Sequence, residues 1–232
     1  MAPGFVAYPQ LNDTRIVLMK FVAKKVQSLF LGSALVLIGL VFTTSANSEL
    51  AAIAPANQTA VFSGGCFWGV DAVFKHVKGV TKVTSGYAGG NGDTASYSRV
   101  SEGDTGHAES VQVLFDPKQI SYQQLLNVFF TVAHNPTELN RQGPDEGSQY
   151  RSAIFYTSEE QQKEAQKTIQ QLDAEHRFKT KVVTQVAPLQ KFYAAEDYHQ
   201  NYLELHPDQP YIVEFDQPKL DALKKQLPDL YR

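Results

Sequence analysis

The spacing of apolar residues alternates along the chain between a helix-like repeat and the short runs that are typical of strands. Spacing of three or four residues, or a solvated polar pattern, predicts helices over Cys66–Val77, Ser121–Ala133, Ser158–His176 and Ala194–Pro207. Alternating or β-branched runs predict strands over Thr59–Gly65, Val80–Gly90, His107–Asp116, Arg151–Thr157 and Lys181–Leu189. Some neighbouring strands are joined by loops alone. The pattern therefore predicts an α+β fold, a mixed β-sheet with packed helices, and not a doubly wound parallel sheet.

One predicted strand, His107–Asp116, carries an acidic residue on its apolar face. Alternation puts Glu109 on the same side as Val111, Val113 and Phe115. A carboxyl group at the end of a hydrophobic row loses part of its hydration, which favours the neutral acid. Glu109 is therefore a candidate proton donor. The alternative is an acid at the edge of a strand that simply reaches solvent.

Composition narrows the classes of function. The chain has 232 residues, a formal charge of −3 and 43% hydrophobic residues, which is ordinary for a globular protein. No basic stripe indicates a nucleic-acid surface, so neither DNA nor another nucleic acid is an expected partner. The single cysteine, Cys66, excludes an internal disulfide and any cysteine-rich zinc or iron–sulfur site.

The N-terminal region has the layout of a secretory signal peptide. Lysines precede an apolar run, Ser28–Phe42, that is shorter than the roughly 20 residues of a membrane span. We expect cleavage after Ala46, with Ala54 as the second choice, and a translation start at Met19. The folded part is therefore predicted to be exported, to the periplasm or outside the cell. The alternative is an uncleaved signal that anchors the protein in a membrane.

The sequence around Cys66 combines a glycine turn with two large aromatic residues. The predicted helix begins at Cys66, where free backbone N–H groups carry partial positive charge. A thiolate is stabilised there, so we expect the pKa of the Cys66 thiol to be lowered toward neutral. Phe67 and Trp68 supply an apolar wall beside the sulfur. These features favour a nucleophile facing a small apolar group; the alternative is a buried cysteine that packs as a small hydrophobic residue.

Three further polar residues are candidates for a site. Tyr87 and Tyr150 are phenols at junctions of loops and strands, where they could donate hydrogen bonds to a substrate oxygen or be structural tyrosines. Asp145 lies in a glycine-rich loop, where it could bind a polar part of a substrate or cap a turn.

Other kinds of site use some of the same residues. A cysteine hydrolase or acyltransferase would need a histidine within hydrogen-bonding reach of the thiol, and His107, His134 and His199 are candidates. His107 and Glu109 could be two metal ligands on one strand face, but the zinc deaminase pattern that they echo requires further cysteines. A binding module without catalytic activity is a third alternative.

Four sequence blocks occur together in a fixed order. They are GCFWG (Gly65–Gly69), SGYAGG (Ser85–Gly90), GHAESV (Gly106–Val111) and NRQGPDEGSQYRS (Asn140–Ser152). Together they resemble the signature blocks of the methionine sulfoxide reductase A family. The resemblance extends from about Thr59 to Leu205, and four separate blocks make it far more specific than one short motif.

The resemblance implies a ferredoxin-like core and the activity of a peptide-methionine (S)-S-oxide reductase. Such an enzyme repairs oxidised proteins by reducing methionine (S)-sulfoxide, free or in proteins, to methionine. By resemblance Cys66 is the nucleophile, which becomes a sulfenic acid, and Glu109 is the acid. Tyr87 and Tyr150 would hold the sulfoxide oxygen.

The same resemblance assigns residues that bind the substrate. Phe67 and Trp68 would receive the ε-methyl group, and Asp145 would shape the polar side of the pocket. Together with the signal-peptide layout, it leads us to expect an N-terminal extension with the signal peptide over residues 1–46, a linker over 47–58, the catalytic domain over 59–207 and a C-terminal tail over 208–232.

The chain departs from the family pattern at two places. Many members have resolving cysteines in the tail, but Tyr211–Arg232 contains none, so the resemblance implies a one-cysteine cycle. An external thiol, from a thioredoxin-like or glutaredoxin-like protein or a small molecule, would then reduce Cys66. Asn135 stands where members usually have an aspartate. No bound cofactor or metal is expected, and a monomer is expected.

Overall fold

The computed structural model describes residues 57–232 of the chain. The predicted signal peptide, its cleavage sites, the start at Met19 and most of the predicted linker lie outside the described residues. Among residues 57–232, no helix is both long enough and apolar enough to cross a membrane.

Strands and helices alternate along the described chain. The strands are β1 (Gln58–Ser63), β2 (Val80–Ala88), β3 (Ala108–Phe115), β4 (Arg141–Gln142), β5 (Asp145–Glu146), β6 (Ala153–Tyr156), β7 (Gln185–Pro188) and β8 (Phe192–Ala194). The α-helices are α1 (Phe67–Lys75), α2 (Tyr97–Val100), α3 (Tyr122–Val128), α4 (Glu159–Ala174), α5 (Tyr202–Leu205) and α6 (Gln217–Gln226). Two π-helical segments, Phe129–Ala133 and Ile212–Asp216, directly follow α3 and directly precede α6.

Six of these strands form one sheet in the order β7-β6-β1-β3-β2-β8. Neighbouring strands are antiparallel, except that β6 and β7 are parallel. The predicted α+β fold with a mixed sheet is thus confirmed. Apart from short elements, the central part of the chain runs β1-α1-β2-β3-α3-β6, which is the β-α-β-β-α-β order of ferredoxin-like folds.

Three stacked aromatic rings fix α1 and the π segment after α3 on the sheet. The ring centroid of Phe62 in β1 lies 5.0 Å from that of Phe74 in α1 and 4.9 Å from that of Phe129. All three side chains are fully buried, and burial of such a ring stabilises a fold by about 2–3 kcal/mol. The end of α1 is thereby fixed on the sheet, and the helix carries this constraint back to Cys66 at its start.

The predicted alternation in β3 is confirmed, because Glu109, Val111, Val113 and Phe115 are all buried.

The predicted helix over Ala194–Pro207 is wrong in most of its length. Its first residue belongs to β8, a short turn of 3₁₀ helix follows, and only α5 is α-helical. Pairing with β2 overrides the helical spacing, since the backbone N–H of Ala195 donates to Ser85 O at 2.9 Å.

The start of α3 offers a direct test of local stability. Ser121 Oγ accepts a hydrogen bond from Gln124 N–H at 3.2 Å, and the Gln124 side chain accepts one from Ser121 N–H at 2.9 Å. Because this capping box satisfies free N–H groups of the helix, Ser121→Ala should lower the free energy of unfolding by about 1 kcal/mol. Urea unfolding measures this loss. Ser121→Gly is the control and should cost only about a few tenths of a kcal/mol; equal losses in both variants would contradict the capping role.

Candidate active site

Three strand ends meet at one edge of the sheet and form the site. Antiparallel pairing brings the end of β1 and the end of β2 beside the start of β3, with Tyr87 opposite Glu109. Ser63 and Ser110 also join β1 and β3 here, through hydroxyl oxygens 2.7 Å apart. The turn that follows β1 must therefore place Cys66 next to Glu109.

This turn depends on Gly65. Its backbone has φ +88°, which side chains rarely tolerate, and a Cβ atom there would lie 2.5 Å from the Gln142 side chain. The turn can therefore approach the loop around Gln142 only with glycine at this position.

Glu109 is held at the start of α1 as a buried acid. Its Oε2 accepts a hydrogen bond from the Phe67 backbone N–H at 3.0 Å, and only 3% of the residue is exposed. Burial raises the pKa of Glu109 to about 8, against the opposing effect of the Phe67 N–H, with smaller contributions from Asp145 and Asp216. At pH 7 the neutral acid therefore predominates, as the sequence predicted.

The prediction for the thiol itself was wrong in sign. Burial, followed by the charges of Glu109 and Asp216, raises the pKa of Cys66 well above its ordinary value. The Trp68 N–H and Lys219 act in the opposite direction but are weaker. Cys66 does cap α1, but it is only 7% exposed, and the loss of hydration outweighs the effect of the helix terminus.

A small cavity of about 110 Å³ opens onto Cys66. Its other walls are the turn Gln142–Pro144, Asp145, Tyr211, Phe215 and Lys219. Asp145 is thus placed in the site as predicted, and its Oδ2 accepts a hydrogen bond from the Tyr211 hydroxyl. Tyr211, Phe215 and Lys219 come from the predicted tail, for which we predicted no site residue.

The two predicted phenols have different surroundings. Tyr150 is partly buried, and its pKa is raised by burial and by the charges of Glu109, Asp145 and Cys66, so its hydroxyl stays protonated near those groups. Tyr87 is fully buried under the site, and its hydroxyl donates to Glu196 Oε2 at 2.8 Å. This requires a correction: Tyr87 is engaged with Glu196 and is not open to a substrate.

Tyr97 is a phenol that sequence reasoning missed. It lies in α2, within the loop between β2 and β3, and its backbone N–H donates to Glu196 Oε1 at 2.9 Å. Its pKa is raised by burial and by the charges of Glu109 and Cys66, so its hydroxyl lies within electrostatic range of the same two groups as that of Tyr150. Its position in the chain could have indicated this role, because the loop that carries Tyr97 joins the end of β2 to the start of β3, and both strand ends flank the site.

Phe67 and Trp68 begin α1 and form an aromatic cluster. Phe67 is buried, with ring centroids 6.0 Å from Tyr87 and 5.0 Å from His199. Trp68 is partly exposed and stacks on Tyr202 at 3.7 Å, while its Nε1–H donates to His199 Nδ1 at 3.2 Å. Both rings are therefore rigidly held on the helix that follows Cys66.

None of the three candidate histidines is hydrogen-bonded to Cys66 in the described part of the chain. His107 bonds to Asn91 O at 2.8 Å, and His199 accepts from Trp68. His134 bonds to Ser152 Oγ at 2.7 Å, and burial lowers its pKa to about 3. The arrangement does not support a cysteine hydrolase.

Within residues 57–232, no three His, Cys, Asp or Glu side chains are grouped to hold a metal ion.

Sequence comparison finds one family model and curated relatives that match most of this chain. The sequence model of the family described as "Peptide methionine sulfoxide reductase" matches residues 58–230. A curated relative from Mesorhizobium japonicum, "Peptide methionine sulfoxide reductase MsrA 2", is 53% identical over 178 residues, which cover 77% of this chain and 91% of the relative. A second, with the same name and from Synechocystis sp., is 49% identical over 176 residues and covers 76% of this chain and 82% of the relative.

Solved structures are similar as well. Reduced Mxr1 from Saccharomyces cerevisiae is 36% identical with a TM-score of 0.63, over 67% of this chain and 90% of that protein. Methionine sulfoxide reductase A of Corynebacterium diphtheriae is 32% identical with a TM-score of 0.59, over 66% of this chain and 77% of that protein.

The protonation of Glu109 can be measured directly. In the infrared difference spectrum between wild type and Glu109→Gln, we expect the C=O band of a protonated carboxyl at pH 7. Because the pKa of Glu109 is raised to about 8, this band should disappear with a midpoint near pH 8. Glu102→Gln, an exposed position, is the control and should leave the band unchanged. A Glu109 band that is already absent at pH 6 would contradict the assignment.

Proposed function

The chain belongs to the peptide methionine sulfoxide reductase A family, and from this premise we propose that it reduces methionine (S)-sulfoxide, free and in oxidised proteins, to methionine. The observation that carries this proposal is the buried neutral acid Glu109 beside the buried thiol of Cys66. Such a pair supplies both a sulfur nucleophile and a proton, which together can break an S=O bond.

In the proposed reaction, the sulfur of Cys66 attacks the sulfoxide sulfur while Glu109 transfers its proton to the sulfoxide oxygen. This attack forms an S–S bond between Cys66 and the substrate, and protonation turns the sulfoxide oxygen into a hydroxyl group. The hydroxyl group then moves from the substrate sulfur to Cys66 as its S–O bond and the S–S bond break, so methionine leaves as the thioether and Cys66 becomes a sulfenic acid. The sulfoxide gains two electrons and Cys66 loses two. The proton given up by the thiol replaces the one that Glu109 has donated.

We assign the stabilisation of charge on the sulfoxide oxygen to the phenols of Tyr97 and Tyr150. Both hydroxyls have raised pKa values and lie within the electrostatic reach of Glu109 and Cys66. Tyr87 acts indirectly in this proposal, because it fixes Glu196, which in turn holds the backbone of Tyr97.

The proposed substrate group is the end of a methionine side chain. The cavity at Cys66, of about 110 Å³, is large enough for a few heavy atoms and too small for a segment of folded protein. Asp145, which lines this cavity, would bound its polar side. Phe67 and Trp68 are not among the walls of the cavity, so their predicted contact with the methyl group would require the substrate to open space beside the start of α1.

An external thiol must then regenerate Cys66, because the chain has no second cysteine. One thiol condenses with the sulfenic acid, which releases water and leaves a mixed disulfide. A second thiol resolves this disulfide and returns Cys66 to its reduced form. We propose a thioredoxin-like or glutaredoxin-like protein or a small thiol as the donor, and a monomer as the working unit.

Export of the enzyme is also a proposal, supported by the layout of the first 46 residues alone. An exported enzyme would reach oxidised proteins of the cell envelope and repair them there. Fractionation of the producing cell with mass spectrometry of the N-terminus tests this; a protein found only in the cytoplasm with residues 20–46 intact would reject it.

The two reacting groups give the first functional prediction. Cys66→Ser should abolish turnover of methionine (S)-sulfoxide with dithiothreitol, because serine is a far weaker nucleophile. Glu109→Gln should lower kcat by about 10²–10⁴-fold, because the amide keeps the shape but cannot donate the proton as an acid. Both epimers are assayed by chromatography of the product, and the R epimer should remain unreduced. Full activity in either variant would reject the proposal.

The pH dependence follows from the protonation of Glu109. The reaction needs the acid form of Glu109, whose pKa is raised to about 8, and the thiolate of Cys66, whose pKa is raised well above its ordinary value. kcat/KM should therefore rise with pH up to about 8 and then level off, because above this pH the loss of the acid form cancels the gain in thiolate. In Glu109→Gln the residual rate should instead keep rising through about pH 8 as the thiol ionises. A break near pH 8 that persists in this variant would assign it to another group.

The phenols give a prediction with an internal control. Tyr97→Phe and Tyr150→Phe should each lower kcat by about 10²-fold, because each removes one donor to the developing negative charge. Tyr87→Phe, which removes only the hydrogen bond to Glu196, should change kcat far less. Steady-state kinetics of the three purified variants, with melting temperatures to exclude unfolding, distinguish the two groups. A larger loss in Tyr87→Phe than in Tyr97→Phe would restore the original assignment of Tyr87.

A further inference from the structure

The C-terminal segment places a lysine in the cavity of Cys66. Lys219, in the first turn of α6, lines this cavity together with the thiol. Its side chain is only 17% exposed. Among the described residues that line the cavity, it is the only cation.

Asp216 holds this lysine in place. Lys219 Nζ donates to Asp216 Oδ1 at 3.0 Å, and Asp216 is completely buried. The other carboxylate oxygen, Oδ2, has no hydrogen-bond partner in the described part of the chain. The charge of Asp216 is therefore only partly compensated, and the position of Lys219 is well defined.

The Asp216–Lys219 pair rests on the first turn of α1. A Cβ atom at Gly69 would lie 2.1 Å from Asp216 Oδ1 and 2.7 Å from Lys219 Nζ. Only glycine at this position lets the pair approach the helix that Cys66 caps. The last glycine of the GCFWG block thus has a physical role in bringing these charges to the thiol.

Among residues 57–232, the other groups whose charge acts on Cys66 are acidic. Acidic side chains come from three elements: Glu109 from β3, Asp145 from β5 and Asp216 from the π segment. The phenols of Tyr97, Tyr150 and Tyr211 complete the surroundings. Attack by sulfur requires negative charge on Cys66 in this environment, and the partly buried ammonium group of Lys219 lines the same cavity.

We propose that Lys219 is an electrostatic partner of Cys66, which Asp216 positions against the first turn of α1 so that its ammonium group supports negative charge on the sulfur. The effect of Lys219 on the pKa of Cys66 has the required sign, since Lys219 lowers this pKa and Asp216 raises it. The catalytic consequence of the inference rests on the proposed function, whereas the effect on the thiol does not.

The test uses the single cysteine as its own reporter. Methyl methanethiosulfonate is small and uncharged, and it reacts with the thiolate, so every modification of the purified chain reports Cys66. The rate is measured from pH 6 to 10 for wild type, Lys219→Met, Lys219→Arg and, as the control, Lys225→Met. Lys225 is an exposed lysine on the same helix.

Lys219→Met should slow the modification at pH 7.5 and move its pH profile upward. A rise of one unit in the thiol pKa leaves about tenfold less thiolate, which its greater nucleophilicity partly offsets, so a net slowing of about threefold is expected. Lys219→Arg should restore most of the rate, and Lys225→Met should match wild type. An unchanged rate and profile in Lys219→Met would overturn the inference.

Asp216→Asn separates the electrostatic role from a structural one. Removal of this carboxylate should lower the thiol pKa and speed the modification, which is opposite to the effect of Lys219→Met. A purely structural pair would slow the reaction in both variants, and that result would overturn the inference. If Lys219→Met does not fold, the double variant Asp216→Asn/Lys219→Met is used in its place, because it leaves no unpaired buried charge. Cys66 must then be modified more slowly in the double variant than in Asp216→Asn.

The modification assay contains no sulfoxide, so it fails independently of the proposed function. Suppose that Lys219→Met slows the modification of Cys66 as predicted, but the wild-type chain does not reduce methionine (S)-sulfoxide. This result would reject the proposed function and leave the inference about Lys219 standing. Normal sulfoxide turnover with no effect of Lys219 on Cys66 would do the reverse.

Discussion

The hydrogen bond from the Phe67 backbone N–H to Glu109 joins the two halves of the site. It is possible only because β1 and β3 are antiparallel neighbours, so that the turn after β1 arrives beside the first residues of β3. The stacked rings of Phe62, Phe74 and Phe129 then fix the height of α1 over the sheet. The relative position of thiol and acid is therefore a property of the core, and not of flexible loops.

Burial has opposite chemical consequences for the two groups that this bond brings together. For Glu109 it keeps the proton on the carboxyl group at neutral pH, which a general acid needs. For Cys66 it opposes the thiolate, which a nucleophile needs. A more exposed site would favour the thiolate but would let Glu109 ionise, so the fold must compensate the sulfur locally. The Trp68 N–H and Lys219 are the groups that do so in this structure.

Much of the fold and the centre of the site could be predicted from the sequence, because the relevant signals are local. Alternation along β3 revealed the buried position of Glu109, and the glycine turn before Cys66 indicated the start of α1. The pKa of Cys66 could not be predicted in this way, since a helix terminus is visible in the sequence whereas burial and the nearby Asp216 are not. Tyr87 and Tyr97 were confused for a similar reason: both lie near the same strand ends, and only the tertiary contact with Glu196 shows which hydroxyl is occupied.

The C-terminal segment shows most clearly why local patterns were insufficient. Without a cysteine, Tyr211–Arg232 had no feature in the sequence that suggested chemistry, yet Tyr211, Asp216 and Lys219 all reach the site. They do so because α6 packs on α1 through buried apolar residues such as Leu223, and this packing is distant in sequence. This segment contains no cysteine, yet it provides charge and shape around the thiol of Cys66. The surroundings of Cys66 therefore depend on residues far along the chain that only the tertiary fold brings to the site.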